Sequence, residues 1–361
     1  MRGGVLLAVA LILGGCGVAP ATPSAQGSAP AASPPTPASA KPTPTVEPTN
    51  APAARGWRQL AAQGPSARED HTWTVSGDGA TAYLFGGRMS DGTALDDMWA
   101  YDLRGDAWSV IEATGPSARF GHNAAWVDGV GLVVFAGQGP DGFHDDLWAF
   151  DPEADSWRSL PATGAVPLAR YGSCAALGPD GRLWISHGFT SDGSRFSDTR
   201  AYDFGSGRWT DETPDSGRPV ERCLHGCWWT ADEQLALFGG QTTGVAALGD
   251  LWHFDPDRPT AGRWRRLADP AERLEARQLY ASARVANVTV IFGGGTLDGG
   301  YLADTWLLDD AGAATRLRAD PAPAARSGAE LIADPQRHRL LLLGGRDADG
   351  AMADLWELAL R

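Results

Sequence analysis

The chain has 361 residues, 43% hydrophobic and 20% charged, with 30 Lys plus Arg against 44 Asp plus Glu and a formal net charge of −14. An acidic excess of this size excludes the basic footprint a nucleic-acid partner requires and direct adhesion to anionic lipid. Only Arg2, Lys41, Glu47 and Arg55 carry charge in the first 55 residues, so the excess belongs to residues 56–361.

In chain order, residues 1–15 read as a signal peptide. One arginine precedes an apolar run, Val5–Leu13, that is too short to span a bilayer. The run ends Leu13-Gly14-Gly15-Cys16. This resembles the bacterial lipobox, in which small residues precede a cysteine that is diacylated before cleavage. The resemblance implies Cys16 as a lipidation site and an extracytoplasmic protein whose membrane link is the lipid anchor alone. The alternative is an ordinary secretory signal with a chance cysteine. No aspartate follows Cys16, so the family's usual cue for inner-membrane retention is absent, and inner or outer membrane stays open. Residues 16–55 hold ten Pro among Ala, Ser and Thr. That composition cannot bury a core and reads as a disordered, partly polyproline tether.

Residues 56–361 are occupied by a phrase repeated at a spacing of about 51 residues. It starts at Arg68, Arg119, Arg170, Arg222, Arg277 and Arg326, five of them with a proline three residues earlier. Each unit predicts four short strands. The first follows the arginine, as in Gly121–Val127. The second is a continuous apolar run, as in Gly131–Phe135 or Leu340–Leu343, which implies burial on both faces. It leads into a diglycine position, Gly86-Gly87 in the first unit, with Ala136 and His187 replacing the first glycine in units two and three. Asp-Gly hairpin chemistry follows in five units. The third strand reads Asp-x-Trp-x-aromatic-Asp, with Arg200 in place of Trp in unit three, and most fourth strands carry a Trp. A surplus fourth strand, Trp57–Leu60, precedes the first arginine, while the last unit stops after its third strand. Trp57–Leu60 is therefore expected to complete the sixth unit and leave no exposed sheet edge.

The diglycine, the downstream aromatic-Asp and the Trp at its spacing resemble the kelch family, over residues 56–361. The resemblance implies an all-β, six-bladed β-propeller closed by an N-terminal strand that completes the C-terminal blade. It also implies a binding or scaffolding module, since arginines at the matching place line the ligand face of kelch peptide-binding modules.

Two readings attach to Arg68, Arg119, Arg170, Arg222, Arg277 and Arg326. They ring one channel mouth and receive a protein, peptide or glycan ligand of acidic character, or they bond carbonyls or carboxylates of neighbouring blades. His71, His122 and His225, three residues after their arginines, are candidate ligand-binding residues with an inner-strand hydrogen-bonding alternative. No cofactor, metal or catalytic residue is expected, and a monomer is. Glu330-x3-Asp334-x3-His338 is similar to the iron motif of plant specifier proteins, but Asp334–Arg337 reads as a turn. Arg170-Tyr171-Gly172 with Cys223 is similar to part of the copper radical oxidase site, on the wrong blade and without its second Tyr-His pair. The rival function is a carbohydrate enzyme similar to the six-bladed periplasmic epimerases of sialic acid, with Glu69, Asp70, Glu221, His71 and His225 as acid-base candidates. Of the cysteines, Cys223 and Cys227 lie about 13 Å apart on one strand. That leaves Cys174 to pair with either, or three free thiols.

Overall fold

A computed structural model describes residues 56–61, 63–244, 246–267 and 274–360. The expected leader, Cys16 and the tether lie outside the described residues. Within them every regular element is a β-strand, arranged as five antiparallel four-stranded sheets, a sixth sheet of five strands in which the short Thr163–Gly164 runs parallel to Arg208–Asp211, and three added two-stranded hairpins. Each sheet is one blade of a six-bladed β-propeller. The first is built from Thr72–Val75, Thr81–Phe85, Met98–Asp102 and Ala107–Ile111. The inner strands of the other blades are Asn123–Val127, Cys174–Leu177, Gly226–Trp229, Ala281–Val285 and Glu330–Asp334.

The second strands, among them Gly131–Phe135, Val288–Phe292 and Arg339–Leu343, are buried along their whole length. Both of their faces meet neighbouring blades, which is why their sequences are apolar without alternation. Fourth-strand tryptophans fill the space between blades. Trp157 packs on Phe85 of the preceding blade at 5.2 Å between ring centres, and Trp209 on Phe135 at 5.1 Å.

The ring closes through the chain's first strand. Arg58–Leu60 runs antiparallel to Leu355–Ala359 in the register Arg58↔Glu357, Gln59↔Trp356, Leu60↔Leu355. Trp57 is 1% exposed, stacks edge-on against Phe292 at 5.4 Å, and donates its indole N–H to Thr305 Oγ1 at 3.2 Å. It therefore occupies the sixth blade's position against the fifth blade, as the surplus strand predicts.

Two closed rings of backbone hydrogen bonds join the blades. In one, the amide of the second diglycine residue donates to the carbonyl of the next blade's arginine, from Gly87→Arg119 round to Gly345→Arg68, at 2.8–2.9 Å. In the other, Asp70, Gly121, Gly172, Leu224, Leu279 and Gly328 bond amide to carbonyl around the channel at 2.7–3.1 Å. All six adopt left-handed backbone conformations, φ 50° to 64°. Asp70, Leu224 and Leu279 do so against their preference, a local strain held by the closed ring.

Candidate functional site

The six arginines are between 0% and 1% exposed. Each guanidinium grips an aspartate of its own blade with both terminal nitrogens: Arg68–Asp97, Arg119–Asp146, Arg170–Asp198, Arg222–Asp250, Arg277–Asp304 and Arg326–Asp354, at 2.5–3.0 Å. The same guanidinium donates to the carbonyl of the first diglycine position, Gly86 O in blade one and Gly239 O in blade four. Of the two readings of these arginines, the geometry is that of bonding to carbonyls and carboxylates and not of a cationic mouth, with the partners on the arginine's own blade where neighbouring blades were expected. The side chains turn into the blades because the carboxylate, its fork geometry and a buried carbonyl satisfy the guanidinium more fully than solvent-facing exposure would. Burial alone would push these aspartates up, but the arginine hydrogen bonds and charge hold all six below the usual carboxylate range. In five blades the third-strand Trp donates to the same aspartate, as Trp99 Nε1 does to Asp97 Oδ2 at 2.7 Å. In blade three Arg200 takes that role with Asp198. The partner aspartates were visible in the sequence as the Asp two residues before each third-strand Trp or Arg.

Inside the ring is a channel cavity of about 330 Å³. The three expected histidines reach it, as does the inner-strand disulfide Cys174–Cys227, Cα–Cα 5.8 Å. Cys223 is a buried free thiol, and burial pushes it up to about 11. Side chains link successive blades along the wall: Thr72 Oγ1 with His122 Nε2 at 2.9 Å, Asn123 Nδ2 to Ser173 Oγ at 2.7 Å, the disulfide, and Gly226 N to Tyr280 OH at 3.0 Å. Burial, with the charge of Arg68, lowers His71 to about 3, and burial likewise holds His122 and His225 well below 6.5. All three imidazoles are neutral. At one end Tyr171 lies across Gly121 and donates to Asp70 Oδ2 at 2.7 Å, bridging blade three to blade one. A Cβ on Gly121 would sit 1.9 Å from the Tyr171 ring, so only glycine permits that reach.

Around this mouth the residue after each arginine bridges to the residue after each diglycine position: Glu69↔Arg88, Phe120↔Gln138, Tyr171↔Phe189, Cys223↔Gln241, Gln278↔Gly295 and Ser327↔Arg346. Blades six and one supply charge. Glu69 accepts from Arg88 at 2.9 Å and from Arg346 at 2.8 Å. Blades two and three supply aromatic rings. Arg88 sits 4.5 Å over Phe120, and Phe189 meets Tyr171 at 5.0 Å and Phe143 at 5.7 Å. Three of the large apolar side chains most exposed among the described residues lie in loops at this face: Leu168 (66%), Leu297 (59%) and Val220 (50%).

Residues 51–240 match the family model described as the KLHDC2/KLHL20/DRC7 Kelch-repeats domain. The chain belongs to the kelch-repeat family. Kelch propellers are typically protein-binding modules. This one is 28% identical over 279 residues to Adagio-like protein 3 of Oryza sativa subsp. japonica, covering 72% of this chain and 43% of that protein. It is 28% identical over 198 residues to an F-box/kelch-repeat protein of Arabidopsis thaliana, covering 50% and 41%. Against Kelch domain-containing protein 3 of Bos taurus it is 28% identical over 262 residues, covering 69% and 66%. The chain spans less than half the length of the first two.

In this kelch frame three of the acid-base candidates, Asp70, His71 and His225, line the same channel cavity, and Glu69 and Glu221 do not. Glu69 is tied to two arginines and Asp70 to Tyr171, and among the described residues no histidine shares a hydrogen bond with a carboxylate. Glu330, Asp334 and His338 separate. Glu330 lines the channel, Asp334 accepts from Arg339 at the far end of the strand, and His338 sits in the turn. Among the described residues no group of three or more His, Cys, Asp or Glu is placed to hold a metal ion.

Proposed function

We propose that this chain is a protein-docking propeller held at a cell-envelope membrane by a lipid on Cys16, and that its partner docks on the loop face around the Tyr171 end of the channel. The observation that carries this is a contrast within the repeat. The arginine, its aspartate and the diglycine carbonyl recur in all six blades, whereas the position after the arginine holds six different residues, Glu69, Phe120, Tyr171, Cys223, Gln278 and Ser327. The frame is uniform because every blade needs it; the position after the arginine, buried in five of the six blades, varies with the loops it supports, as a face that reads something not six-fold requires. Exposed Leu168, Val220 and Leu297 add apolar anchors of the kind that mark docking surfaces. The inter-blade disulfide supports an oxidising, extracytoplasmic location. The test is capture from solubilised envelope with the wild-type propeller and with Leu168→Glu/Val220→Glu. Loss of the captured protein with unchanged melting is the expected result. Equal capture by both sinks the reading, and capture of glycan instead of protein would replace it with the lectin reading.

A further inference from the structure

The channel contains polar groups that the frame leaves unused. Asp70 is 7% exposed, and its Oδ1 is buried without a hydrogen-bond partner. Neither nitrogen of His71 (1% exposed) or His225 (7% exposed) has a partner either. Glu330, on the adjacent blade, lines the same cavity, and among the described residues its carboxyl has no ion pair or hydrogen bond. Several donors of the wall are engaged: Thr72 shares its hydrogen bond with His122, Asn123 donates to Ser173, and Tyr280 donates to Phe238 O, whereas the Trp73 indole N–H has no partner. The guanidinium nearest Asp70, that of Arg88, pairs with its other oxygen, Oδ2, at 3.8 Å and donates to Glu69, and Arg68 and Arg222 are spent on Asp97 and Asp250. Among the unpartnered groups are the free Asp70 oxygen, the Glu330 carboxyl and neutral imidazoles, each offering an acceptor nitrogen, in a cavity with no Lys or Arg among its lining residues.

We propose that the channel binds a primary ammonium group seated between Asp70 and Glu330. An ammonium is compact, carries three N–H donors and supplies the missing positive charge. It reaches the cavity on a free amine or as the lysine tip of a docked partner; the free-amine form does not depend on the docking reading above. Burial, reinforced by Asp70, pushes the Glu330 carboxyl up to about 8, so seating the ammonium drives a proton from Glu330 into the solvent. The imidazoles and the phenol facing the site do not obscure this. His71, His122 and His225 from blades one, two and four stay neutral throughout, and Tyr280 from blade five is pushed higher still. Burial raises Asp70 as well, against the charge of Arg88, the Tyr171 hydrogen bond and the charge of Arg346, and the Asp70→Asn variant reads its share.

Calorimetry with putrescine, and separately with acetyl-Gly-Lys-Gly-amide, in two buffers of different protonation enthalpy tests this. Either probe should bind with proton release, and affinity should rise more than about tenfold between about pH 6 and about pH 8, the span over which a carboxyl of that acidity ionises. Putrescine binding alone names a free amine as the source; peptide binding alone names a lysine tip. Glu330→Gln should abolish the proton release and weaken binding at least about tenfold. Asp70→Asn, which tolerates the left-handed backbone, should weaken it similarly. Choline, which has no N–H donor, should not bind. The proposal is overturned if neither probe binds the wild type at about 10 mM, if both variants bind like it, or if choline binds as well as putrescine.

Discussion

At the scale of single residues, the six buried arginines are structural hubs. The side chain ties each to its own blade, and the backbone carbonyl ties it to the preceding one. Removing one carboxylate strands a guanidinium with 0% exposure, so Asp250→Ala should destabilise the propeller by about 3–5 kcal/mol in denaturant unfolding. An effect below about 1 kcal/mol would contradict the hub role. Acid titration has a definite sign. The six aspartates are depressed in the fold, so their contribution is present above their ordinary range near 3.8 and is lost as pH falls through the lower folded values. The buried histidines are also depressed. The unfolded chain takes up protons below about 6.5 where the fold refuses them, so stability begins to fall there. Glu330 acts in the opposite sense. It holds its proton up to about 8 in the fold against 4.5 unfolded, so its contribution is complete below 4.5 and lost by about 8. Glu330→Gln should therefore be more stable than wild type at about pH 8, with the difference shrinking toward pH 4.5; unfolding curves at both pH values check this. The arginines and histidines were legible in the sequence, and carboxylates were one of the two readings of the arginines' partners, but the pairing of each arginine with its own blade's aspartate was not legible. An Arg and an Asp some 28 residues apart meet only when three strands have paired, and nothing local in either segment announces it.

At the scale of elements, strand positions were legible because burial and turn chemistry write themselves locally. The fully apolar second strands and the surplus Trp57–Leu60 segment are where the repeat placed them. What is not six-fold was not legible: the Tyr171–Asp70 bridge depends on Gly121 being small between them. The disulfide joins blades three and four across 53 residues of sequence, and the choice of Cys227 over Cys223 follows from which inner-strand side chain points to the neighbouring blade. Replacing both partners, Cys174→Ala with Cys227→Ala, should lower stability by about 2–4 kcal/mol, and reductant should lower the melting temperature of the wild type but not of this variant. Trp57→Ala empties a buried site in the closing strand and should cost about 3–5 kcal/mol. Unchanged melting would mean that closure does not rest on this strand.

For the whole molecule, the lipid reading predicts that Cys16→Ser moves the protein from the membrane fraction to the soluble fraction or leaves an uncleaved precursor; an unchanged membrane fraction at mature size counts against it. The closing strand also sets a clock. Arg58 and Glu357, which pair across the seam, are 299 residues apart. At ribosomal speeds of about 5–20 residues per second, one waits about 15–60 s for the other to be made. During that interval blades form in order while the two free margins cannot join, and a polypeptide abandoned before residue 355 never finds its first strand's mate. Completion of the circle thus waits for the third strand of the sixth blade, and a copy without it keeps an open margin for quality-control proteases to recognise.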